Sequence, residues 1–454
     1  MWLNMEGLSI LHRTKAATIF SKVDPDKRLF MLMLVVVIAI TADSQIGYIA
    51  DFIPGQLSSS GGVFVFILIA VIFVVTQYFI LDYVKQLNRE TRQRVPHFSK
   101  LHLGVSVAQY LLAGVITIII LQILFIQQYN IIPLYIVYAI GYGLWIVILA
   151  LLARAFFSWY RLSKNGMVLI FTLSMIAYVI NGITGLAEYS DMLGQQKKVI
   201  TSADVAYFPG FSIESLKGQL GAINSLISSV AYILTWIGTV KMLFPYIKKL
   251  GKVKFWIIMG VAMVYYLSVF PLFVSGYFTP SENVDAMTNI LIFSLAGLLS
   301  GIIFGAAFYS VARTLRKGSD LRNHMIIATY GFVLFYIAGS ASAAQAAYPP
   351  FGVVSVSFIG LSCYLIYTGL YSSAVTISQD TILRVSIKKS ITDQAKFLHG
   401  MGSAHMEQEL QSTLMKIAKK RADVLTEKTG VESSMTDSDI KEYMAMVMDE
   451  IHKS

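Results

Sequence analysis

Long apolar runs return along nearly the whole chain between Leu29 and Val375, separated by short polar stretches. A helix rises 1.5 Å per residue, so about twenty such residues cross the roughly 30 Å hydrocarbon core of a bilayer. The runs are continuous rather than alternating, which argues against the period-two strands of an outer-membrane barrel. Composition agrees: 14% of the residues are charged, against about 25% in a soluble globular chain. The pattern predicts an all-α fold, a polytopic integral membrane helical bundle of about ten transmembrane helices with a short cytoplasmic helical C-terminal tail.

The expected crossings are 29–50, 63–84, 103–125, 134–156, 166–187, 221–244, 255–278, 287–312, 325–347 and 351–375. They divide the chain into an N-terminal segment (1–28), a transmembrane domain (29–376) and a tail (377–454). Residues 1–22 space Trp2, Met5, Leu8, Leu11, Ile19 and Phe20 as an interfacial helix would, or else form a frayed end. Pro271 is expected to kink the seventh crossing.

The net charge of +10 is sorted by position. Of the 25 Lys and Arg in 1–376, 22 fall in five segments on one side: 13–28, 85–100, 154–164, 241–254 and 313–322. The other side keeps only Lys197, Lys198 and Lys217, in the one long loop (188–220). This asymmetry places the basic loops and both termini in the cytoplasm of a plasma-membrane protein. It directs the charge to topology and the lipid bilayer rather than to nucleic acid. Cys363 is the lone cysteine, inside an apolar span, so no internal disulfide forms and packing is its expected role. Asp24 and Asp26 before the first run argue against a cleavable signal peptide.

The tail holds 11 basic and 12 acidic residues and reads as water-soluble helices entered without a break from the last crossing. Met406, Leu410, Leu414, Ile417 and Val424 form one apolar stripe, and Gly400-Met401-Gly402 reads as a break ahead of it. A second helix is expected from Thr436, with Ile440, Met444, Val447 and Ile451 as its stripe. The stripes fit a helical hairpin, self-association, a cytoplasmic protein partner or the inner membrane face.

Ionisable groups inside a bilayer are costly and are functional candidates by default. No Asp, Glu, Lys or Arg falls at the expected midplane of any crossing. Asp43 reads first as a residue just beyond a short span, at the headgroups; its functional reading is a cation- or proton-responsive site below the outer surface. Asn181 and Thr184 share a helix face, and with Glu188 and Asn224 they are candidate binding residues under the long loop, or else interhelical hydrogen bonders. Gly297, Gly301 and Gly305 read as a helix contact face. The seven His show no i, i+4 pair, and no nucleotide, hydrolase or metalloprotease motif occurs, so no catalytic residue, metal or cofactor is expected.

The runs 346–358 (AAYPPFGVVSVSF) and 378–384 (SQDTILR) resemble the last spans of uncharacterised multi-pass archaeal membrane proteins, over about residues 340–411. The plan of membrane spans followed by a cytoplasmic helix is similar to the input modules of sensory histidine kinases, without a kinase core. That resemblance implies sensing or scaffolding; the tail, the unbroken exit from the last crossing and the lack of midplane charge lead to the expectation that the last crossing relays membrane or external state to the tail. The alternative is a transporter or channel for a neutral or weakly polar solute. The ligand is not legible.

Overall fold

The described residues are helical almost throughout, as long apolar runs without water must be, because a helix satisfies its own backbone. The computed structural model describes residues 25–50, 60–89, 96–202, 216–274, 286–339, 347–389 and 392–429. The expected interfacial helix before residue 23 and the second tail helix lie outside them.

In chain order the elements are α1 (Pro25–Ala50), α2 (Ser60–Leu87), α3 (Pro96–Ile126), β1 (Gln128–Asn130), α4 (Ile132–Ser163), α5 (Gly166–Gly194), β2 (Val199–Thr201) and α6 (Leu216–Leu243). Then follow α7 (Lys252–Val274), α8 (Ala286–Thr314), α9 (Asp320–Gly339), α10 (Val353–Gln379), α11 (Thr381–Lys388) and α12 (Asp393–Thr429). Among the described residues eight helices are long and apolar enough to cross a membrane. These are α1–α6, α8 and α10. Helices α7 and α9 occupy the two remaining positions where crossings are expected. Helix α7 runs on through Pro271.

Helix α10 lies at the centre. Its whole apolar span is buried, whereas that of α3 is only 28% buried, so α10 faces protein on every side. Its sequence allows this because Ser355, Ser357, Gly360, Ser362, Gly369, Ser372 and Ser373 keep it slim. A Cβ on Gly369 would stand 2.6 Å from Ala328 N and 2.7 Å from His324 O, and one on Gly331 of α9 would stand 2.6 Å from Ile366 N. The α9–α10 contact is therefore backbone against backbone. Three of the serine hydroxyls bond back to their own helix, Ser357 to Val353 O (2.8 Å), Ser362 to Ile359 O (2.7 Å) and Ser373 to Gly369 O (2.6 Å), whereas Ser372 donates to Asn88 Oδ1 (2.6 Å). Gly301 and Gly305 of α8 sit against Val333 of α9, the contact face expected of that series.

Three points differ from the sequence reading. The uncharged turn at 127–130 and the long loop each contribute a strand: β1 and β2 pair antiparallel with Tyr129 opposite Ile200. Tyr129 Oη donates to Ala347 O (2.7 Å), tying this small sheet to the turn before α10. Helix α10 does not run unbroken into the tail, because Asp380 leaves the helical conformation and its carboxylate caps α11 through Leu383 N (2.9 Å). Finally, Gly400-Met401-Gly402 is no break; α12 passes through it.

Candidate functional site

One face of the first turns of α12 is not solvated: Phe397, Leu398, Met401 and Ala404 are buried against the bundle. Each contact has a local cause. The Asn165 side chain caps α5 through Met167 N (2.8 Å), and its Nδ2 donates to Lys396 O (2.8 Å), so one turn residue both starts a helix and holds the tail. Gln394 Nε2 donates to Met242 O (2.7 Å) and Ser310 Oγ (2.8 Å), bridging the ends of α6 and α8. The Phe397 ring lies 5.1 Å from Phe171 and 6.3 Å from Phe156. Glycine at 400 and 402 lets α12 approach closely: a Cβ at 402 would stand 2.2 Å from Ile377 Cγ2, and one at 400 would stand 2.9 Å from Asn165 Nδ2.

His405 closes this seat. Its ring stands edge-on to Trp159 (6.0 Å, 83°) and Tyr371 (5.4 Å, 71°), and neither ring nitrogen has a hydrogen-bond partner. Burial holds its pKa below the ordinary imidazole value, while Glu409 one turn on acts the other way. His399 is also lowered, by burial and then by Lys388 and Arg384. The apolar stripe lies on a different face of α12. Leu410, Leu414 and Ile417 are about half exposed, and the buried face is the one carrying Phe397, Met401 and His405.

Four of the five predicted binding residues come together. Asn181 Nδ2 (2.7 Å) and Thr184 Oγ1 (2.9 Å) both donate to Asn224 Oδ1, and Asn224 Nδ2 donates to Glu188 Oε2 (2.8 Å). This network joins α5 to α6. It continues along the same two helices into a group the sequence reading missed. Ser174 Oγ lies 2.5 Å from Thr235 Oγ1, Thr235 lies 3.1 Å from Tyr178 Oη, and Tyr178 is hydrogen-bonded to Tyr336 of α9. Ser300 Oγ of α8 donates to Tyr232 Oη (3.3 Å). Ser174, Tyr178, Asn181 and Glu188 repeat at helical spacing, making a polar seam about 21 Å long on one face of α5. The sequence carries little signal for this group, because a Tyr within an apolar run reads as any other aromatic until its hydroxyl partner on another helix is known.

The fifth residue, Asp43, stands apart from the other four. Helix α1 continues past it to Ala50, and its side chain is fully enclosed rather than at the rim. Oδ2 accepts from Ser355 N (2.7 Å) and Ser355 Oγ (2.8 Å) at the start of α10.

No family model, curated protein or solved structure matches this chain. The site is therefore read from its own chemistry. Among the described residues no three His, Cys, Asp or Glu side chains gather in a set that would hold a metal ion.

Proposed function

We propose that the chain is a multi-pass membrane protein of signalling or scaffolding type, in which the seating of α12 on the bundle reports the state of the membrane domain to the cytoplasm. The observation that carries this is the seat itself. Gln394, Phe397, Gly400, Gly402 and His405 bind α12 to α4, α5, α6, α8 and the central α10. A shift of α10 against its neighbours changes the floor on which α12 rests. Beyond the seat, α12 presents Leu410, Leu414 and Ile417 to a cytoplasmic partner or a second copy. The test is co-purification from native membranes of the full chain and of a chain lacking 391–454. Partners recovered only with the full chain support the relay; identical partners and an unchanged phenotype overturn it.

A second reading is supported by the hydroxyl and carboxamide seam of α5 and α6, which is chemistry suited to a neutral polar solute. Glycerol flux in liposomes that is reduced by Asn181→Ala supports it, and flux equal to that of empty vesicles removes it.

A further inference from the structure

Asp43 is the only acidic side chain that the described residues bury. Helix α10 begins at Gly352, whose φ is 89° and which has no side chain with which to cap the helix. Asp43 takes that role from another helix. Its Oδ2 receives the backbone N–H and the hydroxyl of Ser355, while Ser355 Oγ also lies 3.2 Å from Ile40 O. The other oxygen, Oδ1, is buried and has no hydrogen-bond partner. From α10, Asp43 is faced by Ser355 and the backbone of Gly352 and Val354. Among the described residues no Lys, Arg or His of α2, α8, α9 or α10 forms an ion pair with it.

A carboxylate so placed has a helix N-terminus in its favour, worth far less than the cost of enclosing an unpaired charge. Neutralising it requires a single proton. Oδ1 is the oxygen available to carry that proton, because Oδ2 already accepts two bonds. Once the proton leaves for water, the bare carboxylate seeks hydration, and the enclosure at the start of α10 has to open to supply it.

We propose that Asp43 is a proton-binding site: the proton sits on Oδ1 in the packed state, and its release unseats the start of the central helix from α1. This rests on the relay reading above and names its signal, the proton concentration at the face from which α10 begins. The helix that Asp43 caps is the one whose far end supports α12 through Ile377 and Tyr371, so the two sites share one rigid element.

The experiment is infrared difference spectroscopy of the full chain in phosphatidylcholine vesicles, stepped between about pH 5 and 9. It is paired with hydrogen exchange over 393–405 in a His399→Gln, His405→Gln background, so that neither tail imidazole titrates alongside. The expected result is a protonated-carboxyl carbonyl band that disappears on the alkaline step and is missing in Asp43→Asn. Protection in α12, taken as exchange relative to the intrinsic amide rate at each pH, then falls by roughly tenfold on the same step, but not with Asn at 43. Should Asp43→Asn fail to fold, Ser355→Ala serves, since loss of the hydroxyl donor shifts the same band while the proton remains. No such band in the native chain, or a band unmoved by either substitution, overturns the proton site and leaves the relay to the tail-deletion test. A band that titrates while α12 protection stays constant keeps the proton site and overturns the relay.

Discussion

Gly402 shows how far a single residue governs the tail. Its missing Cβ is the space in which Ile377 sits, and Ile377 is β-branched in a fully buried helix with nowhere to turn. Gly402→Ala should weaken the seating of α12 by about 1–3 kcal/mol, the usual cost of overpacking, while the crossings stay folded. Faster hydrogen exchange confined to 393–405 would show it. Asn224 is the equivalent residue of the polar seam, accepting from Asn181 and Thr184 and donating to Glu188. Asn224→Ala should lower stability in detergent by about 1–2 kcal/mol, read as a lower thermal midpoint. Part of this site was legible in the sequence. Asn181 and Thr184 stand out because carboxamides are rare in apolar runs and their spacing puts them on one face. The tyrosines were not legible, since a mid-span Tyr looks like any aromatic until its hydroxyl partner on another helix is known. The enclosure of Asp43 was not legible, because hydropathy registers a charge as the end of a span, whereas α1 continues past it and the start of another helix meets its carboxyl.

At the scale of elements, α12 is a charged helix with two different faces. Apolar spacing pointed to Met406, Leu410, Leu414 and Ile417, yet the face that packs is built from Gly, Ala, Phe and His. Small residues contribute little to a hydrophobic stripe although they permit the closest contact, so periodicity marked the exposed stripe and not the face that seats on the bundle. The same seat makes α12 responsive to pH. Docking holds the His405 pKa below its free value, so the undocked helix binds more protons between the two values. Docking is then fully stable above the ordinary imidazole pKa of about 6.5 and weakens as the pH falls through and below it. Limited proteolysis of α12 should accelerate on acidification, and His405→Gln should flatten that dependence. An acid response unchanged in the variant would assign it to other groups. Helix α11 is the element that joins α10 to α12. It is capped by Asp380 at one end, and Arg384 Nη1 holds it to Ser378 O (2.6 Å).

For the whole molecule the question is which way the bundle faces. The positive-inside asymmetry and the seat of α12 are independent observations, and they agree. Asn165, Met242 and Ser310, which hold α12, belong to the turn after α4 and to the ends of α6 and α8. Those ends adjoin three of the five basic segments, 154–164, 241–254 and 313–322. Helix α12 therefore packs on the basic side of the bundle, where charge alone had placed the tail. The order of helices along the chain was readable from apolar runs and basic loops, because both are local. The central position of α10 was not, because a helix rich in Ser and Gly looks like a weak crossing until its neighbours are seen to need its narrow waist. A fluorescent reporter that matures only in the cytoplasm, fused after Ser454, should light up. So should one fused at Gly318, in the turn between α8 and α9. Signal from Gly318 without signal from Ser454 would mean that α12 had left the basic face, and the relay would lose its contact. Silence from both would invert the bundle and put the seat of α12 outside the cell.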